Sequence, residues 1–228
     1  MVKNIVTLSL VPTVPVCPII AQNEIAFRQI QNVLSTDALN KACHRSKIEV
    51  TEEKDIKFVV ASHLHLDHAG CLEMFTNATI IVHEDELNGT LQSYARNQKE
   101  GAYVWADIDA WIKNNLQWQT VKRSEDKLEL AEGISVLNFG SGHAWGMLGL
   151  HVQMPETGGI ILASDAIYTA ESFGPPIKPP GIIYDSIGYS NTVERIRKLA
   201  KETNSQVWFG HDSEQFKNFR KSTEGYYE

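Results

Sequence analysis

Two short, unbroken apolar runs organise the hydrophobic pattern of the chain. Ile56–Ser62 (IKFVVAS) and Thr79–His83 (TIIVH) each read as a strand buried on both faces of a layered α/β sheet. The second is followed by Glu84, Asp85 and Glu86, acidic residues suited to the first turn of a helix, so a β-α unit is predicted there. Upstream, residues 1–20 are rich in Val, Ile and Thr but broken by proline, which predicts an edge strand or strand pair. Residues 24–43 place apolar side chains at helical spacing. Downstream, residues 101–118 (GAYVWADIDAWIKNNLQW) read as an aromatic-rich helix, and residues 127–139 as two strands joined at Glu132-Gly133. Residues 147–154 and 159–164 form a predicted hairpin around the Pro155–Gly158 turn. The proline-rich stretch 173–181 forms no regular element, residues 192–203 form a helix, and residues 206–210 form a last strand ending at His211.

Length and composition narrow the setting. With 228 residues, 43% of them apolar, the chain suits one domain over residues 1–228. A formal charge of −7 repels phosphate backbones, so nucleic acid is not an expected partner. No apolar run reaches the roughly 18–20 residues that a membrane-spanning helix needs. Cys17, Cys43 and Cys71 are odd in number and show no paired spacing, which suits a reducing, cytoplasmic setting. Lys3 ahead of an apolar stretch faintly resembles a secretory signal, but Pro12, Pro15 and Pro18 interrupt the helix that a signal core usually forms.

The candidate chemistry begins where the first buried strand ends. His63-Leu64-His65-Leu66-Asp67-His68 puts four ligating side chains in six residues, a density with no packing purpose and a high cost if buried unpaired. A curling chain can direct His63 and His65 toward one metal ion and Asp67 and His68 toward another. His143 in GSGH, Asp165 after IILAS and His211 in FGHD also sit at strand ends or in glycine-flanked turns. Taken singly each could be an ordinary loop residue; together they complete the donors that two catalytic metals need. Imidazole and carboxylate donors without thiolate suit catalytic zinc, with Mn, Fe or Co as other divalent choices. Two ions about 3.5–4 Å apart could share a carboxylate and a water and make hydrolysis the natural use. His83 and His151, inside strands, are read as structural, and His44 as a surface residue.

From about Ile56 onward the chain resembles the metallo-β-lactamase superfamily and, within it, the N-acyl homoserine lactonases. The likeness rests on SHLHLDHAG, FTNATIIVH, GSGH, SDAIY and FGHDSEQ. It implies a four-layer αββα sandwich and two Zn2+ per chain. His63, His65 and His143 would hold the first ion, Asp67, His68 and His211 the second, and Asp165 would bridge them. Tyr168, three residues beyond Asp165, falls where these lactonases place a tyrosine beside the substrate carbonyl, and Asp67 is a candidate for assisting departure of the ring oxygen. A small-molecule lactone is the implied partner and degradation of a quorum-sensing signal the implied use, while oligomeric state stays open. The chain departs from the family pattern in SGHAWGM, with Met147 where a second histidine commonly falls. It also shows no Asp-Thr-Gly-like turn between Met1 and Ser62, so either the N-terminal sheet is abbreviated or the chain is an atypical version of the family. Another lactonase or a glyoxalase II-like thioesterase would keep the same ligands, and a non-catalytic binding protein is the reading outside enzymes. A phosphodiesterase or nuclease is disfavoured by the acidic balance. Tyr103, Trp105, Trp111, Trp145, Ile167 and Phe173 are candidates to line an apolar groove, with core packing the competing role for Trp105 and Trp111.

Overall fold

The computed structural model describes residues 5–8, 19–20, 25–28, 56–98, 101–220 and 227. Two sheets stack in the middle of the molecule. The first runs β2(Ile19–Ile20)-β3(Ile25–Arg28)-β1(Ile5–Leu8)-β4(Phe58–Ala61)-β5(Thr79–His83)-β6(Gln117–Val121), parallel except for the β2–β3 pair. The second runs β11(Ser205–Phe209)-β10(Gly158–Ser164)-β9(Met147–Met154)-β8(Ile134–Gly140)-β7(Lys127–Ala131), an antiparallel meander with β11 added in parallel.

Period-2 alternation explains why two apolar faces are needed on each sheet. In the first sheet Val59, Ala61, Ile80 and Val82 face helices α2(Glu84–Ala95) and α3(Trp105–Lys113), whereas Val60 and Ile81 join Val136, Leu148, Leu150 and Ile160 between the sheets. In the second sheet Leu137, Phe139, Ile161 and Ala163 turn outward onto Tyr189, Val193 and Ile196 of α5(Ser186–Glu202). The order helix, sheet, sheet, helix is the four-layer αββα arrangement expected. Short helices α1(Leu66–Ala69), α4(Ala170–Phe173) and α6(Ser213–Lys217) lie in the loops after β4, β10 and β11.

The two predicted hairpins form as expected, the second with Met154 paired to Gly158. Three elements differ. Residues 25–28 are a strand in parallel register with β1, not the start of a helix, because neighbouring backbone supplies partners that periodicity cannot register. The remainder of the 24–43 prediction, His44, Cys17, Cys43 and most of residues 1–55 lie outside the described residues. The aromatic helix stops at Lys113, where Asn115 takes φ 52°, and Trp118 belongs to β6. Conversely, α5 begins at Ser186, earlier than its apolar spacing suggests, because the Asp185 side chain accepts the Ile187 and Gly188 N–H groups and caps it.

Candidate metal centre

All seven predicted ligands meet between the ends of β4, β8, β10 and β11 on one edge of the stacked sheets. His63, His65, Asp67 and His68 lie on the chain that leaves β4 and winds into α1. Asp165 follows Ser164, whose φ of 48° turns the chain sharply out of β10. His211 follows Gly210, where a Cβ would lie 2.7 Å from the Ser164 carbonyl and 2.9 Å from an Asp165 carboxylate oxygen, so only glycine lets β11 approach. The Ser164 hydroxyl donates to Ser62 Oγ at 2.9 Å, tying the ends of β10 and β4 together, and Ser62 Oγ lies 3.2 Å from His63 Nδ1.

The donors fall into two groups. His63, His65 and His143 each offer a nitrogen within 4.8 Å of the others; Asp67, His68, Asp165 and His211 do the same with nitrogens and carboxylate oxygens. Asp165 stands between them. Its Oδ2 is 3.4 Å from His143 Nε2 and 4.0 Å from His63 Nε2, while its Oδ1 is 3.2 Å from His68 Nε2 and 3.0 Å from His211 Nε2. Asp67 is half-buried, with Oδ2 3.5 Å from His68 Nε2 and 4.0 Å from His211 Nε2. The His143 ring is oriented by the Ile182 carbonyl, 2.9 Å from Nδ1, which leaves Nε2 facing His65 and Asp165.

This cluster fits a divalent cation. His63 Nε2 is fully buried with no hydrogen-bond partner among the described residues, and Asp165 Oδ1 touches two imidazoles without hydrogen-bond geometry. Such buried orphans are costly unless an ion takes them. Burial, with neighbouring histidines adding to it, lowers the pKa of His63 well below normal and that of His65 to about 3, so both are neutral donors. For Asp165, burial alone would raise the pKa, but His68, His211 and His63 hold it well below the carboxylate range.

His68 behaves differently, which yields a test. Burial disfavours its charge, yet Asp165 and Asp67 outweigh burial and raise its pKa to about 10. A group raised on folding contributes stability that is complete below its unfolded pKa of about 6.5 and gone once pH passes its folded value. Chelator-treated protein is therefore expected to melt at progressively lower temperature from pH 6.5 to 10. A melting temperature that is flat or rises across this window would contradict the assignment.

Tyr168 sits over the cluster, its hydroxyl 3.3 Å from His143 Nδ1 and 3.5 Å from Nε2 and its ring 4.7 Å from that of His211. The His211 N–H donates to the Tyr168 carbonyl at 2.8 Å, locking the two loops together. Burial and the Asp165 charge push the phenol well above its ordinary pKa, so it stays a neutral O–H donor.

The apolar surroundings are only partly those expected. Tyr103 and Trp145 stack at 4.4 Å beside the centre, and Tyr103 meets the His65 ring edge-on. Trp111, Ile167 and Phe173 pack in the core instead, and Trp105 contacts Tyr94 away from the histidines. Sequence reasoning missed Ile182 and Tyr184, exposed residues on the segment that runs beside the His143 loop. It also missed Glu86. Read as one of three acids opening α2, Glu86 is wholly buried, whereas Asp85 pairs with Arg123 at the surface. His83 and His151 are structural as expected: His83 Nδ1 accepts the Asp85 N–H, and His151 contacts Ser205.

The metallo-beta-lactamase superfamily model matches residues 37–86. An N-acyl homoserine lactonase AiiB from Rhizobium rhizogenes is 47% identical over 174 residues, which are 76% of this chain and 63% of that protein. Over residues 37–86 the chain is therefore similar to the metallo-β-lactamase superfamily. A more distant relative, the N-acyl homoserine lactonase of Bacillus thuringiensis, is 30% identical over 169 residues, 74% of this chain and 61% of that one. The chain thus spans less than two thirds of the length of the curated relatives it matches. Among solved structures, a quorum-quenching N-acyl homoserine lactone hydrolase superposes with TM-score 0.68 at 24% identity, covering 94% of this chain and 78% of that one, which shows a shared fold. Among the described residues no helix is long and apolar enough to cross a membrane.

Proposed function

We propose that this chain is a dinuclear metal-dependent lactonase that opens the ring of N-acyl homoserine lactones. The observation that carries the reading is Asp165 standing between two donor groups with the Tyr168 hydroxyl beside them. The 47% identity to a lactonase of that class supports the substrate, and a related structure is described with N-hexanoyl-L-homoserine at its catalytic metal centre.

In this reading His63, His65 and His143 would hold one ion and Asp67, His68 and His211 another, with Asp165 available to both, and zinc would best suit these nitrogen and carboxylate donors. Ions held there would supply Lewis acidity and make a hydroxide nucleophile available near neutral pH. Tyr168, kept neutral, donates a hydrogen bond to the lactone carbonyl oxygen as negative charge grows there. Asp67, half-exposed and adjoining the cluster, would take a proton from the attacking water and return it to the departing ring oxygen, so that the proton count closes. Exposed Leu66, Ile182 and Tyr184, with Trp145, offer apolar surface to the acyl chain. Residues 1–228 act as one catalytic domain, in the cytoplasm, where quorum-sensing signals would be degraded.

The test is hydrolysis of N-hexanoyl homoserine lactone, γ-butyrolactone and S-lactoylglutathione, followed by proton release on protein of measured metal content. Preference for the acylated lactone at about two metals per chain is the expected result. Metal-replete protein that prefers the thioester would transfer the site to a thioesterase, and one inert on all three would end the lactonase assignment.

A further inference from the structure

The parallel arrangement of β4 and β5 brings the start of α2 to the same sheet edge as the end of β4, and there Glu86 meets both loops of the first donor group. Its Oε1 accepts the Leu64 N–H at 2.8 Å and the Tyr103 hydroxyl at 2.9 Å; its Oε2 accepts the Gly146 N–H at 3.1 Å. Leu64 lies between His63 and His65, and Gly146 follows His143 by three residues. Gly146 has to be glycine for this contact, since a Cβ there would lie 2.1 Å from the His83 ring and push the loop off α2. Tyr103 extends the connection, its ring meeting His65 at 4.7 Å and stacking on Trp145. Among the described residues no lysine or arginine forms an ion pair with Glu86, so its two oxygens are held by amides and one phenol.

A buried carboxylate without a cationic partner is an expensive way to join two loops, and a neutral apolar contact would serve packing alone at lower cost. What a carboxylate adds is two acceptor oxygens in one rigid plane, each fixing a different ligand loop. We propose that Glu86 is the positioning residue of the first metal subsite, setting the distance between the His63–His65 loop and the His143 loop. This rests on the metal reading above, but not on the identity of the substrate. None of the second group's residues is bonded to Glu86, so the effect is confined to one subsite.

Glu86→Gln separates positioning from packing. The amide keeps the side chain's shape but has one acceptor oxygen, so its NH2 must confront either the Leu64 or the Gly146 N–H, and one loop is released. The experiment is titration of metal-free parent and variant with Co2+, followed by d–d absorption, with total metal measured after desalting. The parent is expected to bind two ions. The variant is expected to bind one with parent affinity and the other about 10- to 100-fold more weakly, the range typical for losing a residue that orients metal ligands. Two parent-like affinities in the variant would overturn the positioning role while leaving the metal centre standing; equal weakening of both ions would overturn its confinement to one subsite. A parent that binds no cobalt would end the metal reading and this proposal with it. If Glu86→Gln does not fold, Tyr103→Phe decides: it removes one bond to Oε1 and is expected to weaken one cobalt ion selectively, and parent-like binding of both would refute the proposal.

Discussion

Asp165→Asn is expected to cost metal affinity at both subsites, because Asp165 is the one described carboxylate within 4.0 Å of histidines from both donor groups. The substitution keeps shape and removes charge. The His68 imidazole, buried and held protonated largely by Asp165 in the metal-free protein, loses its main counter-charge, and an amide NH2 replaces an oxygen among imidazole nitrogens. With an ion bound, the lost carboxylate leaves a buried cation short of counter-charge, which typically costs about 3–5 kcal/mol. Expressed as binding, that is about two to four orders of magnitude. Competition with a chromophoric chelator, run on parent and variant at one pH, measures it. A variant that retains two ions at parent affinity would remove Asp165 from its shared role, whatever happened to activity.

Tyr168→Phe is expected to produce the complementary pattern. The hydroxyl lies within 3.5 Å of His143, but in the proposed scheme it serves the substrate rather than the metal. Loss of one donor to a developing oxyanion typically lowers kcat about 100- to 1,000-fold. Metal content and folding are expected to stay near parent values, since the ring remains to pack against His211 and His143. The decisive measurement is kcat with an N-acyl homoserine lactone on variant protein containing the parent's metal complement. Parent-like turnover would assign carbonyl polarisation elsewhere. A large drop in metal content would instead make Tyr168 part of the donor framework.

These two substitutions and Glu86→Gln probe different levels of the same assembly. Asp165 joins the donor groups, Tyr168 faces the reacting carbonyl in the proposed mechanism, and Glu86 holds two loops from behind. Their expected signatures differ accordingly: loss at both subsites, loss of turnover with metal retained, and loss confined to one ion.

The sequence by itself determined the strands that end at the site and the side chains gathered there. Ile56–Ser62 and Thr79–His83 were legible because burial on both faces leaves an unbroken apolar run, and HxHxDH was legible because four donors in six residues have no packing use. His143, Asp165 and His211 could be nominated from their turns, since strand ends in layered sheets are where such sites assemble. Local pattern misled where it met a backbone event or a distant partner. The helical spacing of residues 101–118 runs through Asn115, whose positive φ ends the helix, and residues 25–28 pair with a strand that spacing alone cannot supply. Only the tertiary structure decided which aromatics reach the centre: Tyr103 and Trp145 do, while Trp111 and Phe173 pack in the core. It alone revealed the Ile182 carbonyl behind His143, the Ser62–Ser164 link between sheets, and Glu86 beneath both ligand loops. Each of these is a hydrogen bond between residues 22 to 102 positions apart. A periodicity of two or 3.6 residues carries no information at that range, so such bonds become visible only once the sheets have stacked.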